Sequence, residues 1–274
     1  MKVLFLVGGF GTRIENIAKG RAKTLLPIYY EGKYQPIFYF LLDKVSKINK
    51  NSKVIDEIIV LTNDKYYNQM IAARKEYLEK TNMEIPLNIV SDHTTCNENR
   101  LGANGDLQYV KPYLKDAEDI LVLAGDNYFD FELTDVIDLY NKLKQQTPNP
   151  TVIAAKEFPE ERKDFVHKSF AVINVNKEGK IAQMVEKPAI SGIDIDSNMA
   201  AFALYAMTKQ NFNLIDTYLD SCTNPKGRDA LGHFAAYLTE HTPTYPFVFT
   251  GEFVDIGTED EYLKLQKPNN ELGV

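Results

Sequence analysis

The chain has 274 residues, near the upper end of what one hydrophobic core organises. Its 44% hydrophobic and 25% charged residues fit an ordinary globular protein, and a net charge of −7 disfavours a general binder of nucleic acid or anionic membrane. A phosphate-rich ligand stays compatible with that sign, because local backbone donors and a metal override it; Cys96 and Cys222 form no zinc pattern and read as two reduced thiols of a cytoplasmic protein.

The apolar run at the start is too short for a signal peptide or a membrane span, and no later stretch approaches about 18 apolar residues. Lys2–Val7 predicts a buried strand that ends in Gly8-Gly9. Helical spacing follows over Pro36–Ile48, a strand over Glu57–Thr62, a charged helix over Tyr66–Lys80 and a short strand over Leu87–Ser91. Ala103–Leu114 suits a helix, Asp119–Ala124 is the clearest buried strand, and Glu132–Gln146 is helical again. From Thr151 the pattern changes to strands at Thr151–Glu157, Ser169–Val175, Lys180–Val185 and Met199–Met207, with few helices between and a hairpin turn at Asn176–Gly179. Helices at Gln210–Tyr218 and Asp229–Glu240, a strand at Tyr245–Thr250 and a helix at Glu259–Gln266 close the chain.

This order implies an α/β fold. Residues 1–150 make a doubly wound, mostly parallel, Rossmann-like nucleotide-binding half, and residues 151–274 a smaller, mixed, β-rich half of the same compact domain. Gln145–Pro150 is the best hinge candidate between them. Ligands of such sheets sit beyond the carboxyl ends of the strands, which here carry Gly8-Gly9-Phe10-Gly11-Thr12-Arg13 and Gly125-Asp126-Asn127.

Gly8, Gly9 and Gly11 let a backbone approach a polyphosphate, and Arg13 adds a charged fork for phosphate oxygens. The spacing is neither the dinucleotide fingerprint nor the Walker loop, and a plain glycine-rich turn would look the same. Lys23 follows within reach of the same strand end, though most lysines are simply solvated. Asp126 and Asp255 each follow an apolar run, where a carboxylate is costly unless paired, metal-bound or capping a turn. Two carboxylates and a triphosphate are the usual ingredients of a Mg²⁺ site. Glu186-Lys187-Pro188 alone reads as a strand end with a surface ion pair. The four histidines show no metal spacing, and no Gly-x-Ser-x-Gly elbow is present.

Taken together, these segments resemble the sugar nucleotidyltransferases, the NDP-sugar pyrophosphorylases, from Lys2 to about Gln266. Gly8–Arg13 looks like the family's signature loop, and Ala22–Ile28 like its Pro-Lys-x-Leu-Leu-Pro segment, with Ala22 where proline is usual. Leu101–Asp106 is similar to the stretch that touches the base; Gly125–Asn127, Glu186–Pro188 and Asp255–Thr258 are similar to the metal, sugar and second metal motifs. The resemblance implies that Gly8, Gly9, Gly11, Thr12 and Arg13 hold the triphosphate and that Gly102 offers its backbone to the base. It implies that Arg13 and Lys23 act on the phosphates in catalysis, that Asp126 and Asp255 hold Mg²⁺, and that Glu186 and Lys187 bind the sugar phosphate.

The implied reaction joins a nucleoside monophosphate from an NTP, UTP or dTTP foremost, to a sugar 1-phosphate, glucose 1-phosphate foremost, and releases pyrophosphate. Ala171 and Ala203 stand where the family often has glycine near the sugar, so both are expected to line that pocket. Their methyl groups leave open an unusual sugar, or a cytidylyltransferase acting on a non-sugar phosphate such as phosphocholine. A non-catalytic sugar-nucleotide sensor is the alternative from another class. Expected partners are the NTP and the sugar 1-phosphate, with no nucleic acid or membrane; a homo-oligomer is compatible. No appended left-handed β-helix domain is expected after the last helix.

Overall fold

Strong apolar runs and short turn-bounded segments both become regular structure in the computed structural model, which describes residues 1–50, 53–223 and 225–266. In chain order the strands are β1 (Lys2–Leu6), β2 (Pro27–Tyr30), β3 (Lys33–Pro36), β4 (Glu57–Thr62), β5 (Leu87–Ser91), β6 (Asp119–Ala124), β7 (Asn127–Phe129), β8 (Thr151–Glu157), β9 (Ala171–Val175), β10 (Ile181–Glu186), β11 (Met199–Thr208), β12 (Thr244–Val248) and β13 (Phe253–Asp255). The helices are α1 (Glu15–Ala18), α2 (Ile37–Ile48), α3 (Asp64–Lys80), α4 (Ala103–Val110), α5 (Leu133–Lys144), α6 (Lys163–Ser169), α7 (Pro188–Ser191), α8 (Lys209–Ser221), α9 (Pro225–Asp229), α10 (Leu231–His241) and α11 (Glu259–Lys264).

The chain divides into two compact units, each built from separated segments. The first holds residues 3–100, 123–133 and 251 onward; the second holds 1–2, 101–122 and 134–250. Gln145–Pro150, the hinge candidate, lies inside the second unit.

In the first unit β4 and β5 pair in parallel, from Ile58 opposite Leu87 to Thr62 opposite Ser91, and β1 lies beside β4. Val3, Leu4 and Phe5 are fully buried, as are Ile58, Val60 and Leu61, which explains the continuous apolar runs: parallel strands are covered on both faces. The β2–β3 hairpin was not visible as a pair of strands in the sequence. Its two-residue loop, Glu31-Gly32, has φ of 49° and 81°, the twisted turn that suits a tight hairpin. A second pair, β7 with β13, is antiparallel and only three residues long on each side, too short for any periodic signal.

In the second unit β9 pairs antiparallel with β10 and β11, β8 pairs antiparallel with β11, and β12 runs parallel to β8. Residues of β6 lie beside β11. This mixed sheet answers the expectation of a β-rich half with few helices between its strands, the short α6 and α7 being the α-helices between β8 and β11. The Asn176–Gly179 turn forms as expected: Asn176 Oδ1 accepts from Glu178 N and Lys180 N, and Gly179 takes φ of 77°. No described helix is long and apolar enough to cross a membrane.

Candidate active site

The glycine loop leaves the end of β1 and is held from α3. Asn63 caps that helix by accepting from Tyr66 N, and its Nδ2 donates to Gly8 O at 2.8 Å. Tyr66 OH donates to Phe10 O at 2.9 Å. One turn on, Gln69 accepts from Ala22 N and donates to Gly20 O, each at 2.8 Å. One helix face therefore fixes both the Gly8–Arg13 loop and the approach to Lys23. Sequence reading missed Asn63, Tyr66 and Gln69; their spacing of three residues behind a strand was the available signal. Gly9 and Thr12 and the Arg13 side chain are exposed, so loop donors and cation face solvent, not the core.

Asp126 leaves β6 beside that loop. Gly125 N donates to Leu6 O at 2.9 Å, and a Cβ on Gly125 would overlap Val7 Cγ1, so only glycine allows the two strand ends to lie so close. Lys23 Nζ then meets Asp126 Oδ2 at 2.5 Å. Asp255 arrives from β13, in register with Asn127, and Ile256 N donates to Asp126 O at 3.1 Å. Glu261 fastens the segment beyond Asp255 by accepting from Gly257 N and Thr258 N in the α11 capping box. The guanidinium of Arg13 lies close to the Gly257 backbone.

The charges in this cluster act on one another. The carboxyl of Asp255 is pushed up to about 6, first by burial and then by the Asp126 charge, while Lys23 and Arg13 pull it back. Asp255 is open to water by its own surface yet ringed by protein at longer range, and the second fact governs its solvation. Burial alone would lower the Lys23 ammonium, but Asp126 and Asp255 together raise it. Two cations and two carboxylates thus converge in the first unit, where Gly8, Gly9, Gly11 and Thr12 also lie. Among the described residues no group of three or more His, Cys, Asp or Glu is placed to hold a metal by itself. A pair of hard carboxylates suits Mg²⁺, which takes its remaining oxygens from water and phosphate.

The remaining sequence-derived residues, Gly102, Ala171, Glu186, Lys187 and Ala203, all belong to the second unit. Glu186 closes β10 opposite Ala171, and Ala171 lies opposite Ala201 on β11. The Glu186 carboxylate lies against Gly232 in the first turn of α10, where a Cβ would collide with Oε2. Burial raises the Glu186 carboxyl, and Lys187 moderates the rise. Lys187 takes φ of 44°, and its charge, after burial, helps to lower the neighbouring His233. Gly232 and His233 were missed because α10 reads as an ordinary amphipathic helix. Ala203 falls in the stretch of β11 where the pairing to β8 shifts register between Ala201 and Tyr205.

Gly102 precedes α4 with φ of 78°. A Cβ there would sit 2.5 Å from Arg228 O, so α9 packs directly on its backbone, and the Asn104 amide donates to Gly227 O and Ala230 O. Gly102→Ala is expected to destabilise the protein by about 2–3 kcal/mol, from a left-handed φ plus the collision. Urea unfolding measures it; an unchanged midpoint would contradict that packing.

Residues 2–271 match the model of the family described as nucleotidyl transferase. A glucose-1-phosphate adenylyltransferase of Geobacillus stearothermophilus is 27% identical over 283 residues, covering 98% of this chain and 67% of the relative. The mannose-1-phosphate guanylyltransferase catalytic subunit beta of Dictyostelium discoideum is 27% identical over 191 residues, covering 69% and 46%. The chain thus spans about half to two thirds of these relatives' length. Among solved structures, a UDP-glucose pyrophosphorylase complexed with UDP-glucose shares the fold with a TM-score of 0.73 at 19% identity, covering 96% of both chains. A UDP-glucose pyrophosphorylase from Acinetobacter baumannii gives 0.71 at 17%, covering 96% and 91%.

Proposed function

From a chain that belongs to the nucleotidyl transferase family, and so to a family of enzymes, we propose a sugar-1-phosphate nucleotidyltransferase that transfers a nucleoside monophosphate from an NTP and releases pyrophosphate. The observation that carries this reading is the convergence of Lys23, Arg13, Asp126 and Asp255 beside the Gly8–Gly11 loop. That set neutralises and positions phosphates, and it contains no Ser, Thr or Cys nucleophile beside a general base. Phosphoryl-type transfer asks for this, because positioning and charge neutralisation supply most of its catalysis.

In this reading Asp126 and Asp255 would hold Mg²⁺, which supplies charge neutralisation at the phosphate oxygens when bound. The loop N–H groups of Gly9, Gly11 and Thr12 receive the triphosphate, and the Arg13 fork grips its oxygens. Lys23 leaves Asp126 and meets the charge that grows on the phosphate. The sugar phosphate oxygen attacks the α-phosphorus in line, and pyrophosphate departs. Glu186 accepts hydrogen bonds from sugar hydroxyls, Lys187 pairs with the sugar phosphate, and Gly102 offers its backbone to the base.

UTP or dTTP with glucose 1-phosphate is the pair proposed from the sequence resemblance. The two relatives described above are by name an adenylyltransferase and a guanylyltransferase, so the deciding experiment is a panel of all five NTPs against glucose, mannose and N-acetylglucosamine 1-phosphates and phosphocholine. Pyrophosphate release is the readout. No turnover with any pair would remove the enzymatic reading in favour of a binding protein.

Two residues give further tests. Arg13→Lys is expected to lower kcat/KM about tenfold or more, since an ammonium cannot copy a bidentate fork. Kinetics matching wild type would make Arg13 a mere surface residue. Ala171→Gly and Ala203→Gly are expected to broaden acceptor use while leaving NTP choice alone. A shift of NTP choice instead would put these alanines on the wrong side of the reaction.

A further inference from the structure

A lysine that the proposed chemistry does not use is the most completely enclosed charge in the first unit. Lys44, on α2, is 1% exposed. Its ammonium donates to Phe131 O and Glu132 Oε1, each at 2.9 Å, and to Asp130 O at 3.4 Å, and it lies within 6 Å of the Phe40 and Phe129 rings, at 5.8 and 5.9 Å. Burying an ammonium costs several kcal/mol unless its protons all find acceptors. Here they do, and all the acceptors belong to one turn, 130–132, directly after β7.

That turn is joined to β13 by its other face. Asp130 Oδ2 accepts from Glu252 N at 2.9 Å, and Asp130 N donates to Glu252 O at 3.3 Å. The Asp130 carboxylate fills the space beside Gly251, whose φ of 107° leaves the strand free to turn there. From Glu252 the register runs Phe253 opposite Phe129 and Asp255 opposite Asn127. The two short strands that deliver Asp126 and Asp255 therefore share one anchor. Three-residue strands hold their register weakly by themselves.

We infer that Lys44 is a positioning residue: through the 130–132 turn and Asp130 it fixes β13 against β7 and so sets the spacing of the Asp126 and Asp255 carboxylates. This rests on the reading of that pair as a metal site. Lys44 touches no substrate, so its loss acts on metal affinity and strand order and leaves the sugar side alone.

The test uses the full chain and Mn²⁺ alone as probe, followed by electron paramagnetic resonance, with amide hydrogen exchange as a metal-free readout. Lys44→Met is expected to weaken Mn²⁺ binding about tenfold, the usual cost of losing a residue behind metal ligands. Exchange at Val254–Ile256 should quicken about tenfold, while β4 and β5 keep wild-type protection. Because a buried lysine can be needed for folding, Asp130→Ala, which removes the side-chain acceptor of Glu252 N, serves as the second variant. It cuts the next link at an exposed residue and should quicken exchange at Glu252–Val254 and weaken Mn²⁺ in the same way. Wild-type Mn²⁺ affinity and β13 exchange in both variants, with binding still lost in Asp126→Asn, would overturn the role of Lys44 alone. Absence of Mn²⁺ binding by the wild-type chain would overturn it together with the metal-site reading.

Discussion

Lys23→Ala is expected to lower kcat about a hundredfold in a protein that still folds. One charge-assisted contact to a developing phosphate charge in a preorganised site is worth about 3 kcal/mol. The structural cost is smaller. Lys23 sits in a single helical turn whose neighbours Ala22 and Thr24 bury their own side chains, and Asp126 keeps about a third of its surface in water to rehydrate. The ammonium is held charged by Asp126 and Asp255 against the effect of its own burial. In the free protein it therefore pairs with Asp126 and supplies positive charge that Asp255 also feels. A lysine with only that duty would become dispensable once Mg²⁺ saturates the pair. The variant is therefore assayed across Mg²⁺ concentration with saturating NTP and sugar phosphate. A kcat that returns to wild type at high Mg²⁺ would reduce Lys23 to a counter-ion; a persistent deficit assigns it to the phosphates.

Most of the elements that frame this cluster were legible in the sequence, for a physical reason. β1, β4 and β6 bury residues on both faces, so their apolar runs are unbroken, and four strands (β4, β5, β6 and β8) keep the boundaries read from pattern alone. What escaped was short or held by side chains. β7 and β13 owe their pairing to the Asp130–Glu252 bonds and to Lys44, none of which has a periodic signature. The hairpin of β2 and β3 was hidden because Glu31, and not Asn or Asp, precedes the glycine of its turn. Arg13, Asp126 and Asp255 were legible because they follow a glycine loop or an apolar run, whereas Lys23 is unremarkable alone and was drawn in by its place after the loop. The residues that hold that loop, Asn63, Tyr66 and Gln69, were not legible, because a helix face pointing at a loop resembles any other polar helix face.

Asp126 and Asp255 are expected to share one Mg²⁺, so that Asp126→Asn or Asp255→Asn raises the Mg²⁺ needed for half-maximal turnover tenfold or more. Their convergence is already expressed in the free protein, since the Asp126 charge is the second cause, after burial, of the raised Asp255 carboxyl. Mg²⁺ binds ionised carboxylates at about 2.1 Å, so a shared ion would bring their oxygens within roughly 3–5 Å in the loaded state. The pH dependence follows in sign. Asp255 in the folded protein titrates at about 6, above its unfolded value of 3.8. Between those values the folded chain keeps a proton that the unfolded chain has released, so this group's contribution to stability declines as pH rises toward 6 and levels beyond it. Mg²⁺ must displace that proton, and its apparent affinity should fall about tenfold per pH unit below 6. Above 6 the metal binds without that competition and restores what carboxylate repulsion removes. Thermal melts from pH 4.5 to 7.5, with and without Mg²⁺, should therefore diverge as pH rises and converge in acid. In Asp255→Asn the two curves should run together throughout. Melts that separate equally at every pH, or an Asp255→Asn enzyme with wild-type Mg²⁺ dependence, would separate the two carboxylates and end the shared-ion assignment.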